Sequence, residues 1–159
     1  MKQQGVTLIQ MMCALAVVSL LTHLGITAYN KMRDDLHEVS VARALEQALR
    51  EARNHAALRQ RAVLVEPMEG DWSRGWRTTW EHDGQLLREH RLARPAKIVA
   101  SDNRVVRFSA RGAPLGMGFG GITLHICQRT PPLSRHRVVL SPSGRVSLRS
   151  EESPGCAGR

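Results

Sequence analysis

The sequence lacks the residue arrangements that catalysis and metal binding need. His37, His55, His82, His90, His125 and His136 form no H-E-x-x-H pattern, the cysteines form no C-x-x-C pair, and there is no G-x-S-x-G elbow. Gly116, Gly118, Gly120 and Gly121 are clustered, but no Gly-Lys-Ser/Thr and no helical pattern follow them, which argues against a phosphate-binding loop. Asp34-Asp35 and Glu151-Glu152 lie in polar sequence and read as solvated charge. The expectation is a protein without catalytic residues, metal or cofactor, and not an enzyme. Lysine is scarce as well. Only Lys2, Lys31 and Lys97 occur, so 23 − 3 = 20 of the basic residues are arginines, and the net charge is +9. A uniform bias toward arginine accounts for part of that excess; attraction to polyanions is the functional counterpart.

Charge itself is missing from one long stretch. Residues 3–30 contain no Asp, Glu, Lys or Arg. As a helix this run is ~42 Å long, which exceeds the ~30 Å hydrocarbon core of a bilayer. A secretory signal peptide would have a shorter apolar stretch followed by a small-x-small cleavage site. Here the stretch is too long and no such site precedes Lys31. Lys2 is the only basic residue ahead of the run, so the short leader stays cytoplasmic and the remainder faces outward. Within the run, His23 reads as a neutral residue near the outer interface and Cys13 as a small packing residue.

From Lys31 to Gln60 there is neither Pro nor Gly. Leu36, Val39, Ala42, Leu45, Leu49, Ala52 and Ala56 recur every three or four residues and define one helical stripe. Arg33, Asp34, Glu38, Arg43, Glu46, Arg50, Arg53 and Arg59 occupy the other face, with Glu46 and Arg50 in the favourable i, i+4 order. One helix is therefore predicted from about Thr7 to about Leu58, apolar on all sides in its first half and amphipathic in its second. Beyond Arg61, residues 62–66, 76–81, 88–92, 97–99, 105–108, 122–127, 137–140 and 145–148 read as short strands, separated by turn residues such as Glu69-Gly70-Asp71, Asp83-Gly84 and Pro142-Ser143-Gly144. No later helical pattern is long enough for a crossover, so an antiparallel arrangement is expected. Trp76 and Trp80 fall on one face of a strand by alternation, and core packing is expected for at least two of Trp72, Trp76 and Trp80.

Gly5-Val6-Thr7-Leu8-Ile9 ahead of the apolar run resembles the leader of type IV pilins and pseudopilins. Three later segments are similar to the FimT/GspH group of that superfamily. They are Asp71-Trp72-Ser73-Arg74-Gly75-Trp76 with Asp83-Gly84; Phe108-Ser109-Ala110-Arg111-Gly112 leading to residues 121–127; and residues 138–146, ending in Gly144-Arg145-Val146. The resemblance implies an α+β pilin-like fold: a long N-terminal helical spine, membrane-spanning in its first half, packed on a C-terminal antiparallel β-sheet domain. It implies a leader at residues 1–5, a transmembrane and filament-core helix at 6–30, an amphipathic helix at 31–60 and a β-rich periplasmic domain at 61–159. A prepilin peptidase would cut between Gly5 and Val6 and methylate the new N-terminus, leaving 159 − 5 = 154 residues. The implied partners are other pilins or pseudopilins, the peptidase and the bacterial inner membrane, from which the subunit enters a pilus or pseudopilus.

Two positions depart from the family pattern. Gln10 stands where the family usually has a Glu that neutralises a neighbouring N-terminal amine, and Thr27 stands where a Pro is common. Gln10 can hydrogen-bond but cannot neutralise, which suggests a rare or tip subunit rather than the repeating one. The resemblance implies a FimT-like minor pilin, with a GspH-type pseudopilin of type II secretion as the alternative.

Cys127 and Cys156 are expected to pair if the domain is exported, while two buried free thiols remain the alternative for a cytosolic protein. Between residues 103 and 150 there is no Asp or Glu, against eight arginines. Arg129, Arg135 and Arg137 flank Pro131-Pro132, and Arg145 and Arg149 follow Gly144. These five are candidate phosphate contacts for double-stranded DNA, bound without sequence preference. Some FimT-like pilins carry a basic G-R-x-R motif associated with DNA uptake. Here the match is partial: Ser147 takes the place of the second Arg, and Arg149 follows two residues later. A solvated or subunit-contacting basic surface is the other reading.

Overall fold

The computed structural model describes residues 8–101, 105–116, 120–128, 134–153 and 155–156. The leader positions Gly5 and Val6, and Arg129, lie outside these residues. Helix α1 spans Leu8–Arg59 without interruption. It ends where Gln60 turns to a left-handed φ of 51° and the Arg61 N–H reaches back to the Ala56 carbonyl at 3.2 Å, which caps an otherwise open helix end.

The chain divides into two compact units, residues Met1–His37 and Glu38–Arg159. The described part of the first is helix alone, and its apolar side chains are exposed throughout. Among the described residues the second contains the remainder of α1 and nine strands: β1 (Val63–Met68), β2 (Asp71–Trp80), β3 (Leu86–Arg91), β4 (Lys97–Ala100), β5 (Val106–Phe108), β6 (Pro114–Leu115), β7 (Ile122–Cys127), β8 (Ser134–Leu140) and β9 (Val146–Ser153). They form a five-stranded sheet in the order β3-β2-β1-β5-β6 and a four-stranded sheet in the order β4-β7-β8-β9. Every strand pairing is antiparallel.

One core joins the helix to both sheets. Val41, Ala42, Leu45, Leu49, Ala52 and Ala56 of α1 pack with Val63, Val65, Val106 and Phe108 of the first sheet and with Leu124, Ile126, Val138 and Leu140 of the second. The alanines leave room for large partners, and all three tryptophans are buried: Trp72 and Trp76 are 1% exposed and Trp80 6%. The helical stripe begins later than its spacing suggests. Leu36 is 59% exposed, while Val41 joins the core and Glu38, expected on the polar face, is buried. Among the described residues the buried positions of α1 begin at Glu38.

Two local features differ from the sequence expectation. β2 begins at Asp71 instead of Trp76, because Gly75 adopts φ 136° in a close approach to β3, where an added Cβ would collide with the His90 carbonyl oxygen. The β1–β2 turn itself is Glu69-Gly70, with φ of 51° and 77°, the two-residue form that suits the twist of a hairpin. The second feature is β6, which has no strand signal in the sequence. It is two residues long and pairs with β5 across a turn closed by the Gly112 N–H donating to the Ser109 carbonyl.

Candidate functional site: an apolar helix and an arginine surface

The first candidate surface is the helix of the N-terminal unit. Leu8, Ile9, Met11, Met12, Leu15, Val17, Leu20 and Leu24 are among its exposed apolar side chains, and α1 contains a stretch apolar and long enough to cross a membrane. Its hydroxyls are accommodated within the helix. Thr22 Oγ1 donates to the Val18 carbonyl at 2.8 Å, and Thr27 Oγ1 to that of Leu24 at 2.8 Å. Inward bonding of this kind removes the main penalty for placing a threonine in hydrocarbon. Thr27 therefore continues the helix where a Pro would remove a backbone donor. Gln10 is exposed in the first described turn of α1.

The second surface belongs to the C-terminal unit. Among the described residues, more than half of its arginines are paired with carboxylates. Arg77 pairs with Glu66 at 2.7 Å, Arg88 with Glu51 at 2.5 Å, Arg61 with Asp83 at 2.8 Å, and Arg107 with Glu81. The pairing extends to two of the candidate DNA contacts. Arg137 donates to Glu151 at 2.5 Å, and Arg135 lies 3.6 Å from Glu152. Glu151 and Glu152 are thus ion-pair partners as well as exposed charges, a correction to their reading as merely solvated. The cause is β9, which extends to Ser153 and brings the acids alongside β8.

Arg145 and Arg149 differ from these. Among the described residues neither side chain has an acidic partner, and both line one concavity with Val139, Ser141, Ser143, Ser147 and Leu148. Arg145 leaves the β8–β9 turn, where its N–H donates to Ser141 Oγ at 3.1 Å, the Gly144 N–H donates to the Ser141 carbonyl at 2.9 Å, and Gly144 adopts φ 82°. Arg149 lies directly across from Arg137 on β8, and His125 on β7 completes that cross-strand row. Burial holds the His125 imidazole below its ordinary value, and the neighbouring Arg137 adds to the effect.

Two further arginines, placed by the sequence only on the polar face of the helix, reach this turn. Arg53 Nη1 donates to the Gly144 carbonyl at 2.9 Å, and Arg50 Nη2 donates to the Val146 carbonyl at 3.1 Å and to Glu46 at 2.7 Å. Their separation from Gly144 by about ninety residues leaves no local sequence signal. Cys127 and Cys156 form a disulfide that ties the end of β7 to the C-terminal segment, and Cys13 is free. Among the described residues no cluster of three His, Cys, Asp or Glu side chains is placed to hold a metal.

A model of the family described as type II transport protein GspH matches residues 41–144, from the buried half of α1 through the β8–β9 turn. The chain belongs to the GspH family. Two crystal structures of the type IV minor pilin FimU from Pseudomonas aeruginosa (strain PAO1), in different crystal forms, share the fold of this GspH-family chain with a TM-score of 0.61 each. They are 24% and 22% identical to it, cover 74% of it, and are themselves covered over 92% and 98% of their length. No curated protein sequence matches. A long helix with an apolar first half and antiparallel sheets on its second half is thus the architecture of a type IV minor pilin, and the GspH-family chain is a member of the type IV pilin and pseudopilin superfamily.

Proposed function

We propose that the protein is a FimT-like minor pilin: a structural or assembly subunit, not an enzyme, held in the bacterial inner membrane by α1 with its β-rich domain in the periplasm, and then incorporated into a type IV pilus. The observation that carries this reading is the charge-free apolar surface of the N-terminal helix, exposed from Leu8 to Tyr29. Exposure on that scale calls for lipid or like helices around it. A prepilin peptidase cuts between Gly5 and Val6 and methylates Val6. Gln10, which cannot neutralise a neighbour's amine, keeps the subunit rare or at the tip. The test is the mass and N-terminal sequence of the protein recovered from membranes. A methylated Val6 start agrees, and a start beyond Tyr29 rules the reading out. Incorporation into filaments should rise when Gln10→Glu restores the charge.

The family description favours a second placement, in a type II secretion pseudopilus. Deletion separates the two: loss of twitching with intact secretion places the subunit in a pilus, and the reverse places it in a pseudopilus. The same domain contacts double-stranded DNA through Arg145 and Arg149, a reading supported by the lack of acidic partners for both among the described residues. A mobility-shift titration at low salt tests it. Binding should weaken when both residues become Gln, and no shift at any concentration eliminates DNA as a ligand.

A further inference from the structure

Arg50, Arg53, Asn54, Arg145 and Val146 line an open recess of about 370 Å3 beside the Gly144 turn. The geometry points to this recess as a discrete binding site for one phosphate group. Three arginines line the recess and no carboxylate does; Glu46, outside the lining, engages Arg50 alone. A guanidinium has five N–H donors. Arg50 uses Nη2 on Glu46 and the Val146 carbonyl, and Arg53 uses Nη1 on the Gly144 carbonyl, so each retains donors for a ligand. The Arg145 side chain forms no hydrogen bond or ion pair among the described residues, whereas its backbone is fixed by Ser141.

The recess is built rather than incidental. Arg53 is pinned to a turn that is itself closed by hydrogen bonds from Gly144 and Arg145 to Ser141. Gly144 has a φ of 82°, which favours glycine, and a Cβ there would sit tightly against Arg53 Nε at 3.3 Å. Forks held in this way lose little side-chain entropy when a ligand arrives. The ligand class follows from geometry. A carboxylate is satisfied by one bidentate fork, whereas a tetrahedral phosphate presents oxygens to forks arriving from the helix and the turn together. The site shares Arg145 with the proposed DNA surface but requires neither Arg149 nor DNA, and it does not depend on which filament the subunit joins.

The test uses the full chain in a neutral detergent at low ionic strength, titrated with inorganic phosphate by calorimetry while the arginine Nε–Hε signals are followed by NMR. Saturable one-site binding that moves the Arg53 and Arg145 signals is expected. Arg53→Gln and Arg145→Gln should each weaken it about tenfold, as loss of one charge-assisted hydrogen-bond partner does. Arg53→Lys, which keeps the charge but not the fork, should weaken it too with an unchanged unfolding midpoint, and Arg149→Gln should leave it intact. A short oligonucleotide added last identifies the source: displacement of phosphate marks a phosphodiester ligand, and persistence marks free phosphate. Non-saturable binding, full affinity in Arg53→Lys, or equal loss in Arg149→Gln overturns the site. A mobility shift that depends on Arg149 without phosphate saturation leaves the nucleic-acid reading standing and removes this one.

Discussion

Single residues set limits that the fold cannot relax. Gly75 is the sharpest case, since a methyl group there would collide with the His90 carbonyl at a φ no alanine favours. Gly75→Ala should destabilise the protein by at least about 2 kcal/mol in urea unfolding. Gly84, also at positive φ but with open space around it, should lose only about 1 kcal/mol on the same change. His90 and His125 respond to pH. Burial lowers both below their ordinary value of 6.5, with Arg88 and Arg137 adding repulsion. Because the unfolded chain takes up these protons first, the stability they contribute is complete above pH 6.5 and is lost as pH falls through the depressed folded values. The unfolding midpoint should therefore be lower at pH 5 than at pH 7.5. The double variant His90→Gln/His125→Gln should show a smaller difference.

Elements with a strong local signal were legible in the sequence; those defined by their neighbours were not. The 3.6-residue stripe of Ala42, Leu45, Leu49, Ala52 and Ala56 identified the packed half of α1, and β7 was readable residue for residue from Ile122 to Cys127. β2 begins at Asp71 instead of Trp76 because Gly75, usually a turn signal, serves as a close approach to β3. β6 exists only through its pairing with β5. The arginine surface was half legible: Arg149 lies on β9 as expected and Arg145 falls just ahead of it at the turn, but the neutralising acids of Arg135 and Arg137 and the arrival of Arg53 at Gly144 depend on register and helix placement. The Trp-bearing strand is the main packing element of the first sheet. Trp72→Ala should cost about 3–5 kcal/mol by chemical denaturation. Removing the disulfide with Cys127→Ser/Cys156→Ser frees a loop of 29 residues' separation and should cost roughly 3–4 kcal/mol, measurable as a drop in the denaturation midpoint that reducing agent reproduces in the parent chain.

For the whole molecule, the net charge of +9 and the apolar helix make opposite demands of solvent. If the anchor is the helix, membranes washed in ~1 M salt, where screening acts within ~3 Å, should retain the protein, and detergent alone should release it. Release by salt would mean that the arginines hold it there instead. The Cys127–Cys156 bond has a mechanical consequence. In the sheet order β4-β7-β8-β9, a pull on the C-terminal tail would ordinarily peel away β9 and then β8, one rung at a time. With the tail riveted to the end of β7, an interior strand, tension reaches β7 directly and bypasses β9 and β8.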